Sequence, residues 1–333
     1  MFIYFSKPKR NPCYINYDSF ILCRPGKSYK VNANVSILNA EEPILYDVGM
    51  DRNMLYLIEK ALYSIRRKPT DLRKIIISHS HPDHCVNLLY FRLFFPNCKI
   101  IWHKSAYQNL VNAFQYSTES VKPYKKRLFK YSTKIMQLWE ASIITRMNKN
   151  YVCEDNALIS CRDRKLRVIH TPGHSLGHIC LHDITNKVLF LGDHVPLTPW
   201  LDISSNSIDN MISSIRKLLK LSSKEVEYSV RGHGNIGDNS QEVYPWEEEK
   251  ARFEEHLNLI LRSIDNILYV LKRKELTVEE IANYILKNKD FRKYSSFMNF
   301  IFMPPNLTWV LSYILKLRKE KKIRQIGIRW TAT

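Results

Sequence analysis

Three imidazoles and one carboxylate are concentrated in the stretch Ser78-His79-Ser80-His81-Pro82-Asp83-His84. The stretch follows the apolar run Ile75-Ile76-Ile77, which predicts a buried strand ending beside the first histidine. Residues two apart on an extended backbone point the same way, so His79 and His81 can face one point. Pro82 then turns the chain, which lets Asp83 and His84 face a second point close by. Imidazole and carboxylate suit Zn, Mn or Fe, and two ions about 3.5–4 Å apart support hydrolysis.

Other strands of the sequence also end in residues that can bind a metal. Three apolar strands are followed, each after a glycine, by His174, Asp193 and His233. A Pro-Gly turn precedes His174 and presents its imidazole at the edge of a sheet. An earlier strand, Pro43–Tyr46, ends in Asp47. Because the sites of layered α/β folds collect at the C-terminal ends of strands, we expect these residues to lie together.

Two further histidines lie near the predicted strand ends, and we expect them to support the fold. His178 is expected to pack or to hydrogen-bond beside the strand that follows it. His103 ends the predicted strand Lys99–Trp102 and is expected to be structural or to support the ligands from behind.

The residues Asp47, His79–His84, His174, Asp193 and His233 occur in the order and spacing of the metallo-β-lactamase superfamily, which the chain resembles over about residues 15–240. The resemblance implies an α/β fold, the αββα sandwich, in which two sheets pack face to face and helices cover the outside. It also implies a metal site like that of glyoxalase II. One ion would be held by His79, His81 and His174, and the other by Asp83, His84 and His233. Asp193 would bridge both ions, and Asp47 would brace the ligand loop by hydrogen bonds.

The chemistry implied by this resemblance is metal-dependent hydrolysis with two zinc ions per chain, or with Mn or Fe in their place. A hydroxide that bridges two cations stays deprotonated near neutral pH, because a metal lowers the pKa of bound water from 15.7 to about 7. It would attack a carbonyl or phosphoryl centre while one cation stabilises the developing oxyanion. Asp83 is the candidate catalytic residue, expected to orient the nucleophile and to accept its proton.

Residues 104–150 differ in character from the strands on either side. They contain no glycine and carry a net charge of +7. Apolar residues recur at helical spacing, which predicts an inserted pair of helices; they are Leu128, Tyr131, Ile135 and Leu138. We expect this insertion to lie over the metal cleft and to limit the size of the substrate.

Residues 246–333 are expected to form a small second domain behind a catalytic domain of residues 1–245. A long helical pattern covers Glu247–Lys272, and Thr277 starts a capping box that Glu280 completes. A third helix is predicted over Leu307–Lys319, and the alternating residues 321–330 predict a two-stranded wing. This order resembles the winged-helix domain of the lactamase-beta-2-like subgroup of the same superfamily. Residues 250–333 carry a net charge of +9, and the domain is expected to pack, to form a homodimer or to contact RNA.

The composition is that of a folded protein outside membranes. Of the 333 residues, 45% are hydrophobic and 25% are charged. No apolar run approaches the length of about 20 residues that crosses a bilayer, so we expect no contact with membranes. The seven cysteines lie in apolar surroundings without a Cys-x-x-Cys pair, which predicts free thiols and a cytoplasmic location.

Three functions remain open on the sequence alone. The first is a dinuclear zinc-dependent hydrolase of a small ester, thioester or lactone. The second is a metal-dependent endonuclease of single-stranded RNA, favoured by the overall charge of +19 and by its concentration in the insertion and the tail. The third is a nucleic-acid-binding regulator with a vestigial site. We favour the small substrate, because the metal ligands are complete whereas the case for RNA is charge and a predicted winged helix.

Overall fold

The computed structural model describes residues 13–25, 33–95, 97–106, 152–196, 205–233, 242–286 and 305–333. Residues 107–150, which hold most of the predicted insertion and its basic cluster Lys122–Arg127, lie outside the described residues. The placement of the insertion over the metal cleft therefore stays a prediction.

Seven strands form the first sheet, and their order in space follows their order in the chain. They are β1 (Cys13–Asn16), β2 (Phe20–Arg24), β3 (Val35–Leu38), β4 (Ile44–Tyr46), β5 (Lys74–Ile76), β6 (Lys99–His103) and β7 (Val152–Cys153). The pairs from β1 to β4 are antiparallel, and the pairs from β4 to β7 are parallel. Helix α1 (Arg52–Ser64) connects β4 to β5, and helices α2 (Pro82–Cys85) and α3 (Leu88–Phe94) connect β5 to β6. Parallel pairing puts the C-terminal ends of β4, β5 and β6 at one edge of the sheet.

Six strands form the second sheet, in the spatial order β13-β12-β11-β10-β9-β8. They are β8 (Leu158–Cys161), β9 (Arg164–His170), β10 (Ile179–Asp183), β11 (Val188–Gly192), β12 (Tyr228–Arg231) and β13 (Val243–Pro245). Every neighbouring pair is antiparallel except β11 and β12, which helix α4 (Ser207–Leu219) connects. The parallel pair brings the residues after β11 and those after β12 to the same edge.

Three hydrophobic clusters correspond to the interfaces of an αββα sandwich. One lies between the sheets and includes Phe20 and Leu22 of β2 with Phe190 of β11. The alternate residues of β2, Ile21 and Cys23, point the other way and pack with α1. The outer face of the second sheet packs against α4 and the C-terminal helices. Since a fully buried Leu, Ile or Phe contributes about 1.5–3 kcal/mol, these alternating strands specify the predicted two-sheet fold, which is confirmed.

One detail of the first sheet's connection differs from the sequence prediction. The sequence predicts one helix that begins at Asp83-His84 and continues through Leu88, Leu89 and Phe91. The structure instead has α2 and α3 separated at Val86 and Asn87. The backbone N–H of Asn87 donates to Gly49 O at 3.1 Å, outside the helix. Its side-chain amide donates to the carbonyls of Val48 and Asp51, both at 2.9 Å. Asn87 therefore ends α2 because its donors bind the turn after β4.

The C-terminal residues form α5 (Trp246–Leu271), α6 (Val278–Leu286), α7 (Pro305–Lys319) and a hairpin of β14 (Ile323–Ile326) and β15 (Arg329–Ala332). The predicted capping box is confirmed, since Thr277 N donates to Glu280 Oε2 at 2.8 Å and Glu280 N donates to Thr277 Oγ1 at 3.2 Å. Leu276 pairs with Trp330 and adds a bridge to the hairpin. The winged-helix assignment and the domain boundary stay predictions. Although α5 has 26 residues, no helix in the described ranges is long and apolar enough to cross a membrane.

Candidate metal centre

Loops from both sheets meet at one edge of the sandwich. The loops after β4 and β5 carry Asp47 and the stretch His79–His84. The loops after β9, β11 and β12 carry His174, Asp193 and His233. The structure thus brings together Asp47 and the seven residues for which the sequence predicts metal binding; whether they bind ions stays a prediction.

The first group consists of three histidines and one oxygen of Asp193. His174 Nε2 lies 2.9 Å from His81 Nδ1 and 3.2 Å from His79 Nε2. Oδ2 of Asp193 lies 3.4 Å from His174 Nε2 and 3.9 Å from His79 Nε2. Two ligands of one ion, with bonds of about 2.1 Å, lie at most about 4.2 Å apart. These separations meet that limit.

The second group consists of Asp83, His84 and His233. Oδ2 of Asp83 lies 3.0 Å from His233 Nε2 and 3.7 Å from His84 Nε2. His84 is completely buried, whereas the side chains of Asp83 and His233 are 16% and 25% exposed. Solvent and substrate can therefore approach this group from the side of Asp83 and His233.

Asp193 joins the two groups through its two carboxylate oxygens. Its Oδ2 faces His174 and His79, and its Oδ1 lies 3.0 Å from His84 Nε2 and 3.4 Å from His233 Nε2. A carboxylate in this position can bind one cation with each oxygen. The family resemblance predicts that Asp193 bridges two ions, and this role stays a prediction.

Asp47 fixes the histidine tautomers in both groups. Its Oδ2 accepts the Nδ1 proton of His84 at 2.7 Å and the hydroxyl proton of Ser78 at 2.9 Å. Ser78 Oγ lies 2.9 Å from His79 Nδ1, so His79 donates to the hydroxyl. With Nδ1 engaged in this way, each ring would offer Nε2 to a bound cation. Ser78 was missed by the sequence analysis, although its place directly before His79 was a usable signal.

His178 holds the turn that carries Asp193. Its Nε2 accepts the backbone N–H of Asp193 at 3.0 Å, and its Nδ1 lies 2.8 Å from Thr171 Oγ1. Gly192, with φ of +54°, precedes Asp193, and a Cβ at Gly192 would lie 2.8 Å from His178 Nε2. The expected hydrogen-bonding role of His178 is confirmed.

His103 does not contact the ligands through any bond recorded in the described residues. Its ring stacks on His170, with centroids 3.7 Å apart and planes 12° apart. Its Nδ1 accepts the N–H of Ser105 at 3.2 Å. Burial lowers the pKa of His103 to about 4, so the ring is neutral in the stack. This matches the structural role expected from the sequence.

The electrostatics of the centre favour cations. Burial alone would lower the pKa of His84, but Asp193, Asp47 and Asp83 raise it well above its ordinary value. The same carboxylates at positions 193 and 83 outweigh burial at His233 and raise its pKa to about 10. Burial alone would raise the pKa of Asp193, and the neighbouring His233 and His84 hold it well below its usual range. Asp193 and Asp83, whose pKa is also lowered, therefore remain ionised and attract positive charge to the point where the second group converges.

The donor set and its unsatisfied atoms fit a metal ion. Within the described residues, Nε2 of His84 and Oδ1 of Asp193 make no well-aligned hydrogen bond, although both atoms are buried and form an ion pair at 3.0 Å. Buried polar atoms that point at one another without a bond are rare. A shared cation satisfies both, and imidazole with carboxylate is a suitable ligand set.

A competing motif lies within the same loops and was missed by the sequence analysis. Residues 173–177 read Gly-His-Ser-Leu-Gly, which matches the Gly-x-Ser-x-Gly pattern of serine hydrolases. That pattern requires a strand-to-helix turn that exposes the serine. Here the loop joins the antiparallel strands β9 and β10, and Ser175 is 4% exposed. The match therefore carries no nucleophile.

Comparison with known proteins identifies the family. Residues 29–233, more than half of the chain, match the Metallo-beta-lactamase superfamily. The chain belongs to this superfamily. Superfamily membership and the His/Asp cluster together identify a metal-dependent hydrolase.

Individual relatives of the superfamily show how far the similarity extends. Human acyl-coenzyme A thioesterase MBLAC2 is 27% identical over 220 residues, which are 61% of this chain and 73% of that enzyme. Hydroxyacylglutathione hydrolase of Maricaulis maris is 45% identical over 40 residues, 12% of this chain and 16% of that enzyme. A metallo-beta-lactamase family protein of Thermus thermophilus has a similar structure, with a TM-score of 0.66, 16% identity and 97% coverage of both chains. At that identity the structural likeness shows the fold.

Proposed function

We propose that this chain hydrolyses a small acyl thioester, with zinc ions at the two ligand groups and Asp193 between them. The observation that carries the proposal is the division of the Asp193 carboxylate, whose Oδ2 faces one group and whose Oδ1 faces the other. Because Mn and Fe suit the same ligands, the identity of the bound metal must be measured.

Asp83, Asp47 and Ser78 would have different roles in this hydrolysis. Two bound cations lower the pKa of water and polarise a carbonyl oxygen. Asp83 is partly exposed, and the nearby His84 and His233 outweigh burial to hold its pKa below the usual range. It is therefore ionised at neutral pH and can orient a water molecule and accept its proton. Asp47 and Ser78 keep Nε2 of His79 and His84 free to bind the cations.

The thioester is favoured among small substrates by the relatives. The human relative is named an acyl-coenzyme A thioesterase, and the Maricaulis relative a hydroxyacylglutathione hydrolase. Coenzyme A and glutathione are both thiols, so each name describes an acyl group carried by a thiol. A simple ester or a lactone has the same carbonyl chemistry and belongs in the same assay.

RNA is the second candidate substrate, and the observation in its favour is the net charge of +19. The lysines at the end of α7 and before β14 are largely engaged within the protein. Lys316 pairs with Asp209 and Glu320, Lys319 donates to Asn206, and Lys322 pairs with Glu320 at 3.0 Å. Side chains held by internal partners are poorly placed to bind phosphates, so the described part of the tail favours the small substrate. The third candidate, a regulator with a vestigial site, is disfavoured because every expected ligand is present.

We also propose that residues 246–333 form a winged-helix domain behind a catalytic domain of residues 1–245. The succession of α5, α6, α7 and the hairpin supports it, together with the bridge between Leu276 and Trp330. A homodimer through this domain is a further hypothesis that sedimentation at several concentrations would test. A cytoplasmic location is supported by the seven free cysteines, six of which are buried.

The test is a substrate panel on zinc-loaded full-length protein: an acyl-coenzyme A, an S-acylglutathione, a lactone, an activated ester and single-stranded RNA. We expect hydrolysis of a thioester and its loss in Asp83→Ala. A variant in which the charges of Lys319, Lys321 and Lys322 are reversed should hydrolyse the thioester at the wild-type rate. Metal-dependent cleavage of RNA that is lost in Asp83→Ala would overturn the small-substrate proposal.

Elemental analysis after dialysis should give two ions per chain. A ratio of one or less under excess zinc would refute the proposed dinuclear site.

A further inference from the structure

A buried ion pair connects the long C-terminal helix α5 to the strand that leads to His233. Arg231 Nε donates to Glu249 Oε1 at 2.7 Å, and Arg231 Nη2 donates to Glu249 Oε2 at 2.5 Å. The two side chains are 2% and 0% exposed. Tyr244 packs beside the pair, between the guanidinium groups of Arg231 and Arg252, at 4.2 and 4.1 Å from its ring centroid. The arginine is thus fixed in position and in orientation.

The backbone beside this arginine belongs to the candidate metal centre. Arg231 ends β12, and His233 follows two residues later. Asn34, directly before β3, donates from Nδ2 to Arg231 O at 3.1 Å and from its backbone N–H to Gly232 O at 2.6 Å. Gly232 N–H donates to Gly192 O at 2.7 Å, next to Asp193. Contacts from the first sheet, from β11 and from α5 therefore set the end of β12.

A buried ion pair contributes little net stability to a folded protein. Desolvation of both charges offsets their attraction, and an apolar pair of similar volume often packs as well or better. Positional specificity is the better-supported reason to retain a pair with two parallel hydrogen bonds. Here the ion pair fixes the position of the end of β12, two residues before the candidate ligand His233.

The protein contains a matched ion pair that serves as a comparison. Arg164 Nη1 lies 2.7 Å from Asp183 Oδ2, and the side chains are 5% and 1% exposed. Arg164 also donates to Asn39 O, just after β3. This pair joins the start of β9 to the end of β10, at the opposite edge of the second sheet from the ligand loops. Both pairs join a buried arginine to a buried carboxylate beside the first sheet, but Arg231 binds Glu249 through two nitrogens and Arg164 binds Asp183 through one. They also differ in their distance from the ligands.

We infer that Glu249 and Arg231 are positioning residues for His233, so that binding of the ion at Asp83, His84 and His233 depends on helix α5. The inference rests on the ligand groups of the proposed function. Glu249 acts by holding the guanidinium of Arg231, which holds the end of β12. Its influence falls chiefly on the second group, because His79, His81 and His174 come from other strand ends and the first group is reached only through the shared Asp193.

The test compares Glu249→Gln with Asp183→Asn in the full-length protein. Each variant keeps the shape of the side chain and removes one charge of a buried pair. The readout is a zinc titration against a chromophoric chelator, in which we expect two affinities for the wild-type protein. We expect Glu249→Gln to weaken the second affinity by about 10-fold or more, as changes behind metal ligands do, and to change the first affinity much less. We expect Asp183→Asn to lower the melting temperature and to leave both affinities unchanged.

A second measurement needs no variant and applies even if a variant does not fold. Coupling between two sites is reciprocal, so binding of the second ion should protect the first turns of α5. Hydrogen exchange of peptides covering residues 246–256 should slow between one and two equivalents of zinc, while exchange of residues 179–186 should not. Equal effects of the two variants on the second affinity, or no change in exchange at 246–256, would overturn the inference. A wild-type protein that binds fewer than two ions would instead refute the proposed metal centre.

Discussion

Asp47 Oδ2 lies 2.7 Å from His84 Nδ1, and Nε2 of the same ring lies 3.0 Å from Asp193 Oδ1. The imidazole is therefore held between one carboxylate that fixes its proton and another at the centre. Asp47 has a φ of +65°, in the left-handed region, which Asp and Asn adopt more readily than other residues with a side chain. A turn that few residue types adopt thus presents the carboxylate to both Ser78 and His84.

Asp47→Asn should weaken zinc retention by about 10–100-fold while the protein remains folded. Asn keeps the shape and the backbone preference of Asp47 but removes the charge that fixes the Nδ1 protons. Zinc competition with a chelator measures the effect. Asp51→Asn is the matched control, because Asp51 caps α1 nearby, accepting Met54 N–H at 2.8 Å, and Asn caps helices equally well. Unchanged zinc retention in Asp47→Asn would contradict the role assigned to Asp47.

Asp193→Ala should reduce the metal content from two ions to one or none and abolish hydrolysis. The variant removes a ligand from both groups at once, since each oxygen faces a different group. Elemental analysis of dialysed protein is the measurement. Asp163→Ala, at an exposed carboxylate, should retain both ions. Two firmly bound ions in Asp193→Ala would show that the carboxylate does not bridge them.

Gly232→Ala should displace the bridging carboxylate and lower zinc retention. An added Cβ would lie 2.7 Å from Gly192 O and 2.8 Å from Asp193 Oδ1, closer than such atoms pack. Gly327→Ala is a useful control, since nothing lies within 4 Å of its Cβ position and its φ of +58° disfavours alanine. That variant should lose about 1 kcal/mol of stability from backbone strain and keep its metals. Normal zinc binding by Gly232→Ala would show that the strand end adjusts without consequence.

His256→Leu should make the protein less sensitive to acid. His256 is buried on α5, and burial lowers its pKa to about 3. Between pH 6.5 and 3 the unfolded chain therefore binds a proton that the folded chain excludes, and stability falls as pH falls. From pH 6.5 to pH 5 this single residue accounts for about 2 kcal/mol.

Urea unfolding of the metal-free protein at pH 7 and pH 5 measures this difference. The loss of stability on acidification should be about 2 kcal/mol smaller in His256→Leu than in the wild type. Leu259→Ala, at a buried apolar residue of the same helix, should be destabilised by a similar amount at both pH values. An identical acid dependence in His256→Leu and the wild type would mean that His256 is protonated in the folded state.

The sequence predicts the two-sheet fold because its signals are local. Alternating and continuous apolar runs mark β2, β3, β5 and β9–β12, and the capping box at Thr277 marks the start of α6. Sites in layered α/β folds collect at the C-terminal ends of strands. The residues of the candidate site could therefore be predicted from the sequence without its geometry.

Other features depend on contacts that no local pattern encodes. Asn34 binds Arg231 across 197 positions, and Arg231 binds Glu249, which the sequence presents as one of three consecutive acids. Ser78 gains its role from Asp47, 31 positions earlier. The break between α2 and α3 likewise follows from the carbonyls that Asn87 reaches in the turn after β4.

The cross-sheet bonds of Asn34 have a consequence for the order of folding. The ligands proposed for the second ion, Asp83, His84 and His233, come from both sheets. The position of the end of β12 is fixed by Asn34, near the start of the chain. Contacts between residues so far apart in sequence form slowly, because closing long loops is entropically unfavourable. A newly made chain would then acquire its complete metal complement only after both sheets have docked. The rate of zinc uptake during refolding would consequently report the last step of assembly, and a truncated chain ending before β12 would remain without its second ion.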